Sequence, residues 1–182
     1  GDRPVVVGNL PYHMASRIVF HLLASRRYLR RWVLMFQKEM ADRLAAGPGG
    51  RDWGILSVLV QQHARVEQVL EVGPASFDPP PKVRSCVLRF TPLDSPRVVV
   101  RSQPAFERVV RGAFGQRRKK LRNSLLAAFD RAGREAIDAW LERTALDGNA
   151  RAERLTMEEF ARLADALVAM EAECGPLSSR GS

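Results

Sequence analysis

The chain has 182 residues, 46% hydrophobic and 27% charged, with a formal net charge of +9 at pH 7. That balance is globular and excludes a disordered chain, and no run approaches the roughly 18 consecutive apolar residues of a membrane span. The excess charge points to a polyanionic partner. The chain begins GDRPVVV, without a basic leader, a long apolar core or a cleavage site, so a cytoplasmic location is expected. Cys86 and Cys174 are far apart, and His13, His21 and His63 are scattered. No zinc or other metal site is expected, and both thiols should be reduced.

In chain order, residues 4–8 (PVVVG) form a short apolar run, which suits a central parallel strand covered on both faces. Residues 14–25 place Ile18, Leu22, Phe20 and Leu23 at helical spacings. RWVLMF, residues 31–36, is a second buried strand. QKEMADRLAA follows as a helix and stops at GPGG. Strand, helix, strand, helix is an α/β order with parallel strands. Residues 55–64 read as a further helix and 65–72 as a strand. GPASFDPPPK is a loop, because three consecutive prolines donate no backbone hydrogen bonds. Residues 83–90 alternate as a strand antiparallel to a neighbour.

A domain boundary is expected near residues 92–102, giving an α/β part over 1–98 and a helical domain over 99–182. Residues 104–114 carry the stripe Phe106, Val109, Val110, Ala113 and Phe114. Residues 118–129 carry Leu121, Leu125 and Phe129, and 134–143 form a short helix. Thr156 and Glu159 make a capping box for a last helix with Phe160, Leu163, Leu167 and Met170 on its apolar face. The charge is uneven: residues 101–134 hold ten Lys/Arg against two Asp/Glu, and residues 135–182 hold five against ten. Concentration of this kind fits a docking face better than general solubility.

The chemistry concentrates at NLPY. An asparagine amide offers one acceptor oxygen and a donor group, and the carboxyl ends of strands are where open α/β sheets bind ligands. Pro11 stiffens the turn and frees the Leu10 carbonyl from helix bonding. Tyr12 adds a ring, and stacking on a base is worth about 1–3 kcal/mol. Together Asn9, Leu10, Pro11 and Tyr12 suit a planar heterocycle with an exocyclic amine. A plain strand-to-helix turn capped by Asn9 is the structural alternative.

Five stretches in order, VVVGNLPY, FQKEMADRLAAGPGGRDWGILSVLVQ, FDPPPKVRSCVLRF, FGQRRKKLRNSL and RAERLTMEEFARLADAL, resemble the rRNA adenine N6,N6-dimethyltransferases, the small-subunit type linked to kasugamycin sensitivity. The resemblance implies part of a Rossmann-like class I methyltransferase sheet followed by a small helical domain. It implies S-adenosyl-L-methionine as cofactor and 16S rRNA of the small ribosomal subunit as partner. Asn9 to Tyr12 would then hold a flipped adenine, with Asn9 also against the cofactor. Phe77, on the rigid FDPPPK loop, would cover the base opposite Tyr12.

In the basic run, Arg118, Lys119 and Arg122 should lie on the solvent side of a helix and, with Arg117, contact phosphates, which makes binding salt-dependent. RRYLRR, residues 26–31, is a second basic patch with a tyrosine inside it.

The family's opening strand, glycine-rich cofactor loop and acidic ribose residue have no counterpart. The chain is therefore expected to be an N-terminally truncated piece that binds the cofactor poorly and is inactive alone, with an exposed sheet edge that invites self-association. A non-catalytic RNA-binding or ribosome-assembly module is the competing class. A sibling methyltransferase of the large-subunit, macrolide-resistance type is a third reading.

Overall fold

The structure, a computed structural model, describes residues 2–175 and 177, without the side chains of Tyr12 and Cys174. The chain forms two compact units, one of residues 1–47 and 56–97, the other of 48–55 and 98–182.

The first unit contains strands β1 (Val5–Asn9), β2 (Arg31–Gln37), β3 (Ala64–Val72) and β4 (Ser85–Pro92), and helices α1 (Ala15–Ala24), α2 (Lys38–Ala45) and α3 (Ile55–Gln61). The sheet order is β1-β2-β4-β3. β1 runs parallel to β2, while β4 is antiparallel to both β2 and β3. A parallel neighbour requires a crossover, and α1 supplies it.

β2 alternates half-buried and buried residues, with Trp32, Leu34 and Phe36 facing the core. In register with them on β4 stand Phe90, Leu88 and Cys86, all buried. Trp32 stacks on Phe90 at 5.6 Å between centroids, and Phe36 meets that ring edge-on at 6.0 Å. Such aromatic pairs add about 0.5–1.5 kcal/mol each beyond simple burial. Burial pushes the Cys86 thiol above its ordinary value, which leaves it protonated and inert at neutral pH.

The last carbonyls of α2 are satisfied by α3. Gln61 Nε2 donates to Leu44 and Ala46, at 3.0 and 2.8 Å, and Ser57 Oγ donates to Arg43 at 2.5 Å. Those carbonyls have no partner within their own helix. The pairing explains why Ser57 can be fully buried.

Several expectations need correction. β1 is an edge strand of the described sheet, not a covered central one, and Val7 is 75% exposed. The buried row of α1 is Ala15, Val19 and Leu23; of the residues read at helical spacing Leu23 lies in it, while the Ile18–Leu22 row is half-buried. Both rows have helical spacing, and only the position of the sheet chooses between them. α3 ends at Gln61, because β3 begins at Ala64.

The second unit is helical: α4 (Gln103–Phe114), α5 (Leu121–Ala128), α6 (Gly133–Thr144) and α7 (Met157–Cys174). Ser102 caps α4 by accepting from the Ala105 amide at 3.3 Å. The capping box of α7 is formed as the sequence indicates, with both the Thr156 and Glu159 side chains engaged. A methyl group on Gly112 would lie 2.9 Å from Ala128 Cβ and 3.0 Å from the Phe129 ring, so glycine permits the close approach of α4 to the end of α5. Phe129 meets Trp140 edge-on at 5.1 Å, and Trp140 Nε1 donates to the Leu163 carbonyl at 2.9 Å. Trp53 donates to Leu155, also at 2.9 Å, which ties residues 48–55 to this unit.

His63 sits in the turn before β3. Burial, with Arg26 nearby as a second cause, lowers its pKa to about 4. The unfolded chain takes up this proton below about pH 6.5, and the folded chain only near 4. Stability is therefore full above about pH 6.5 and falls as the pH drops toward 4. The loss should be roughly 1–2 kcal/mol after allowance for solvent screening. Denaturant titrations at pH 7 and pH 4.5 should show His63→Gln losing less stability across this interval than the parent chain. Equal losses would remove His63 as the cause.

Candidate functional site: a strand-end turn and a basic loop

β1 and β2 pair residue for residue from Val5–Arg31 to Asn9–Met35. One further bond, Leu10 N–H to the Met35 carbonyl at 3.4 Å, extends the pairing past the strand end. Pro11 then stops it, since it has no N–H to donate. The Pro11 carbonyl accepts from the Met14 amide at 3.0 Å, closing a 3₁₀ turn over Tyr12–Met14 that leads into α1. Asn9 is exposed and Leu10 half-buried. Among the described residues, neither the Asn9 amide group nor the Leu10 carbonyl is taken up by a hydrogen bond. Two acceptors thus stand side by side at a fixed strand end. The stacking role expected of Tyr12 falls on a side chain outside the described residues.

The strand register places the other pieces. Asn9, Met35, Val87 and Leu70 form one row across the sheet. The carboxyl ends of β1, β2 and β3 therefore lie at the same end. Phe77 follows β3 at that end, half-buried, with its amide bonded to the Pro74 carbonyl at 3.1 Å. β1 and β3 are nevertheless opposite edges, three strand spacings or about 14 Å apart. Phe77 shares the end of the sheet with Asn9 but belongs to the far edge.

Two residues the motif reading passed over lie nearer. A cavity of about 190 Å³ is lined by Ala15, Gln37, Glu39, Met40 and Arg43. It joins the start of α1 to the β2–α2 junction. Gln37 and Glu39 bring polar groups there. The signal available in the sequence was the polar QKE at the end of an apolar strand.

The basic run lies in the second unit, and from Arg117 to Lys120 it is not on a helix. Residues 115–119 form the turn between α4 and α5, and α5 begins only at Leu121. Arg117, Arg118, Lys119 and Lys120 are all exposed. The Arg117 guanidinium donates to the Arg51 carbonyl, and Lys120 Nζ to Asn149 Oδ1 at 2.9 Å. Arg118 and Lys119 project from a turn held by the Lys119 amide to Gln116 carbonyl bond at 2.8 Å.

Arg122 differs from its expected place. It is half-buried on α5 and forms an ion pair with Asp138 of α6 at 2.6 Å. The α5 amino end is also pinned: the Leu121 and Arg122 amides donate to the Ala150 and Gly148 carbonyls, at 2.8 and 3.1 Å. Arg122 braces the helix, and Arg118 and Lys119 are the open cations.

Among the described residues, no helix is long and apolar enough to cross a membrane, and no three His, Cys, Asp or Glu side chains form a metal-binding group.

The mixed sheet, with a helical crossover between its parallel strands, is a Rossmann-like fold. A crystal structure of a dimethyladenosine transferase from Plasmodium falciparum superposes with a TM-score of 0.74 at 24% identity, over 95% of this chain and 68% of that one. A 23S rRNA methyltransferase, ErmE, superposes with a TM-score of 0.65 at 25% identity, over 90% of this chain and 65% of that one. The chain belongs to the ribosomal RNA adenine dimethylase family, whose model matches residues 1–168. It is 46% identical over 162 residues to ribosomal RNA small subunit methyltransferase A of Pseudomonas putida. It is 49% identical over 159 residues to the protein of that name from Syntrophotalea carbinolica. The alignments cover 89% and 87% of this chain, and only 58% and 60% of those relatives.

The split between bracing and open cations is testable by thermal melting. Arg122→Gln should destabilise the helical unit by roughly 0.5–1 kcal/mol, the range for a half-exposed pair, or a few degrees in Tm. The double substitution Arg118→Gln with Lys119→Gln should leave Tm unchanged. Equal shifts would contradict the division.

Proposed function

We propose that this chain carries the methyl-acceptor side of a small-subunit rRNA adenine N6,N6-dimethyltransferase that works in the cytoplasm on adenosines near the 3′ end of 16S rRNA, during small-subunit maturation. The observation that carries the reading is the turn at Asn9 and Leu10: two unclaimed acceptors on a rigid strand end, in a chain of the ribosomal RNA adenine dimethylase family. A catalytic role is favoured over a purely RNA-binding one because relatives at 46% and 49% identity are named methyltransferases.

The adenine N6 lone pair is delocalised into the ring, so the amine is a weak nucleophile. Asn9 Oδ1 and the Leu10 carbonyl would accept its two N–H groups and favour a pyramidal nitrogen with its lone pair directed outward. Pro11 keeps the Leu10 carbonyl out of the helix. Phe77 and Tyr12 are the rings proposed to cover the base, which must leave its stack to be reached. Positioning is then the main contribution of these residues.

The family uses S-adenosylmethionine, which supplies the methyl group. The residues described do not form a cradle for it. The turns from a strand into an α-helix are Leu10–Met14 and the Gln37–Lys38 junction, neither with a glycine; Gly73 follows β3 but opens only the single 3₁₀ turn Pro74–Ser76, and Gly47, Gly49 and Gly50 follow a helix. Asn9 is the one residue proposed to touch the cofactor. The exposed loop of Arg117, Arg118 and Lys119 is proposed to hold rRNA phosphates.

Asn9→Ala, made in the whole gene product, should lower the methylation rate by roughly 100-fold and leave rRNA affinity within about twofold. Equal falls in rate and affinity would show that Asn9 binds RNA and does not prepare the amine.

A further inference from the structure

A second polar concavity lies at the other end of the sheet. It has a volume of about 520 Å³, and its lining includes Arg3, Arg26, Arg27, Arg30, His63 and Asp94. Arg3 precedes β1, Arg26 to Arg30 precede β2, and His63 precedes β3. Asp94 follows β4, which runs the opposite way. All these segments therefore meet at the end away from Asn9. The five residues of β1 separate the two ends by about 17 Å.

The walls are held by backbone bonds. The Arg30 amide donates to the Pro4 carbonyl at 2.9 Å, and the Leu93 amide to the His63 carbonyl at 2.9 Å. The Arg97 amide donates to the Gln62 carbonyl at 2.8 Å, fixing the far side of the 92–97 segment. Four arginines line one concavity against a single acidic residue, Asp94. Among the described residues, none of the four is in an ion pair. Arg26 Nη1 donates to the Leu23 carbonyl at the end of α1, at 3.1 Å. The others are exposed. Four like charges with one counter-charge repel one another, and the arrangement is relieved by a bound anion.

The rim says which kind of anion. Tyr28 lies outside the lining but between two lining residues, Arg27 and Leu29; it is 60% exposed, and the Arg27 guanidinium lies over its ring at 4.7 Å. An open aromatic backed by a cation is a platform on which a nucleobase can stack. A pocket for a free phosphate needs no such ring. His63 is neutral near pH 7, so it can donate one hydrogen bond without adding charge.

We infer that this arginine concavity is a second nucleic-acid contact, in which Arg3, Arg27 and Arg30 take phosphodiester groups of a single-stranded RNA segment and Tyr28 stacks on one of its bases. It rests on the reading of the protein as an rRNA-binding enzyme, and adds a grip on the face of the sheet unit opposite the acceptor turn. RNA held here and at the strand end would span the whole length of β1.

The test uses the 182-residue chain and a fluorescent single-stranded RNA oligonucleotide, with affinity measured from 50 to 300 mM salt. Each phosphate contact on a single strand contributes about 0.7 to the slope of log affinity against log salt. Arg27→Gln with Arg30→Gln should lower that slope by about 1.4. Tyr28→Ala should weaken binding by roughly fivefold or more with the slope unchanged. Arg118→Gln with Lys119→Gln, in the helical unit, is the reference pair. If that pair lowers the slope and the Arg27/Arg30 pair does not, the concavity is not an RNA contact. If neither does, the RNA-binding reading itself fails. A parallel titration with inorganic pyrophosphate separates the sources of phosphate. Pyrophosphate binding that is lost in the Arg27/Arg30 variant while its RNA slope stays unchanged would overturn the inference in favour of a small-molecule site. Circular dichroism melts that match the parent chain exclude misfolding, because Arg27 and Arg30 are exposed.

Discussion

Residues Val5 to Asn9 run beside Arg31 to Met35 in one continuous parallel register, and the positions of the acceptor turn and of Arg3 follow from that pairing. At its carboxyl end, the bond from the Leu10 amide to Met35 holds the chain in line until Pro11 turns it. Two acceptors are left pointing past the strand. At its amino end, the bond from the Arg30 amide to Pro4 draws Arg3 toward the 26–30 segment. The core behind β2 makes this rigid: Trp32, Leu34 and Phe36 are locked against Phe90, Leu88 and Cys86. A slip of one residue between β2 and β4 would turn those aromatics outward, so β2 is a fixed template against which β1 pairs, with Val6 packed on the same core.

The helical unit solves a different problem. A run of five basic residues in six positions on one helix would surround it with charge. The chain avoids this by leaving Arg117, Arg118 and Lys119 in a turn and starting α5 at Leu121. Arg122, the first long cation inside the helix, is neutralised by Asp138. The 148–150 segment accepts the first α5 amides. The unit thus keeps a stable core of Phe129, Trp140 and Phe160 while presenting open cations on a short tether.

Much of this was legible in the sequence, for identifiable reasons. The capping box at Thr156 and Glu159 is a local device, and it forms as written. The strand RWVLMF is surrounded by core on its inner face, so its apolar character survives any choice of neighbour. What failed depended on neighbours. PVVVG carries the composition of a covered strand, yet in the described sheet it is an edge. The α1 face was legible only in part: Leu23 is buried as read, but Ile18, Val19, Leu22 and Leu23 form two equally good rows. Arg122 looked free because Asp138 lies sixteen positions away on another helix. The amide of Asn9 and the proline after Leu10 could be read in advance, since a strand end followed by a proline dictates which carbonyl stays open. The arginine concavity could not, because Arg3, Arg30 and Asp94 meet only when three strand termini are brought to one end.

The central claim is that this chain supplies the pocket that accepts an adenine amine of small-subunit rRNA. Its most direct test is the fate of a labelled methyl group. The whole gene product should be incubated with methyl-labelled S-adenosylmethionine and with small and large ribosomal subunits in turn, and the modified nucleosides identified by mass spectrometry. The account predicts label on adenine N6 in the small-subunit rRNA. Label confined to large-subunit rRNA, or on any atom other than adenine N6, would contradict it.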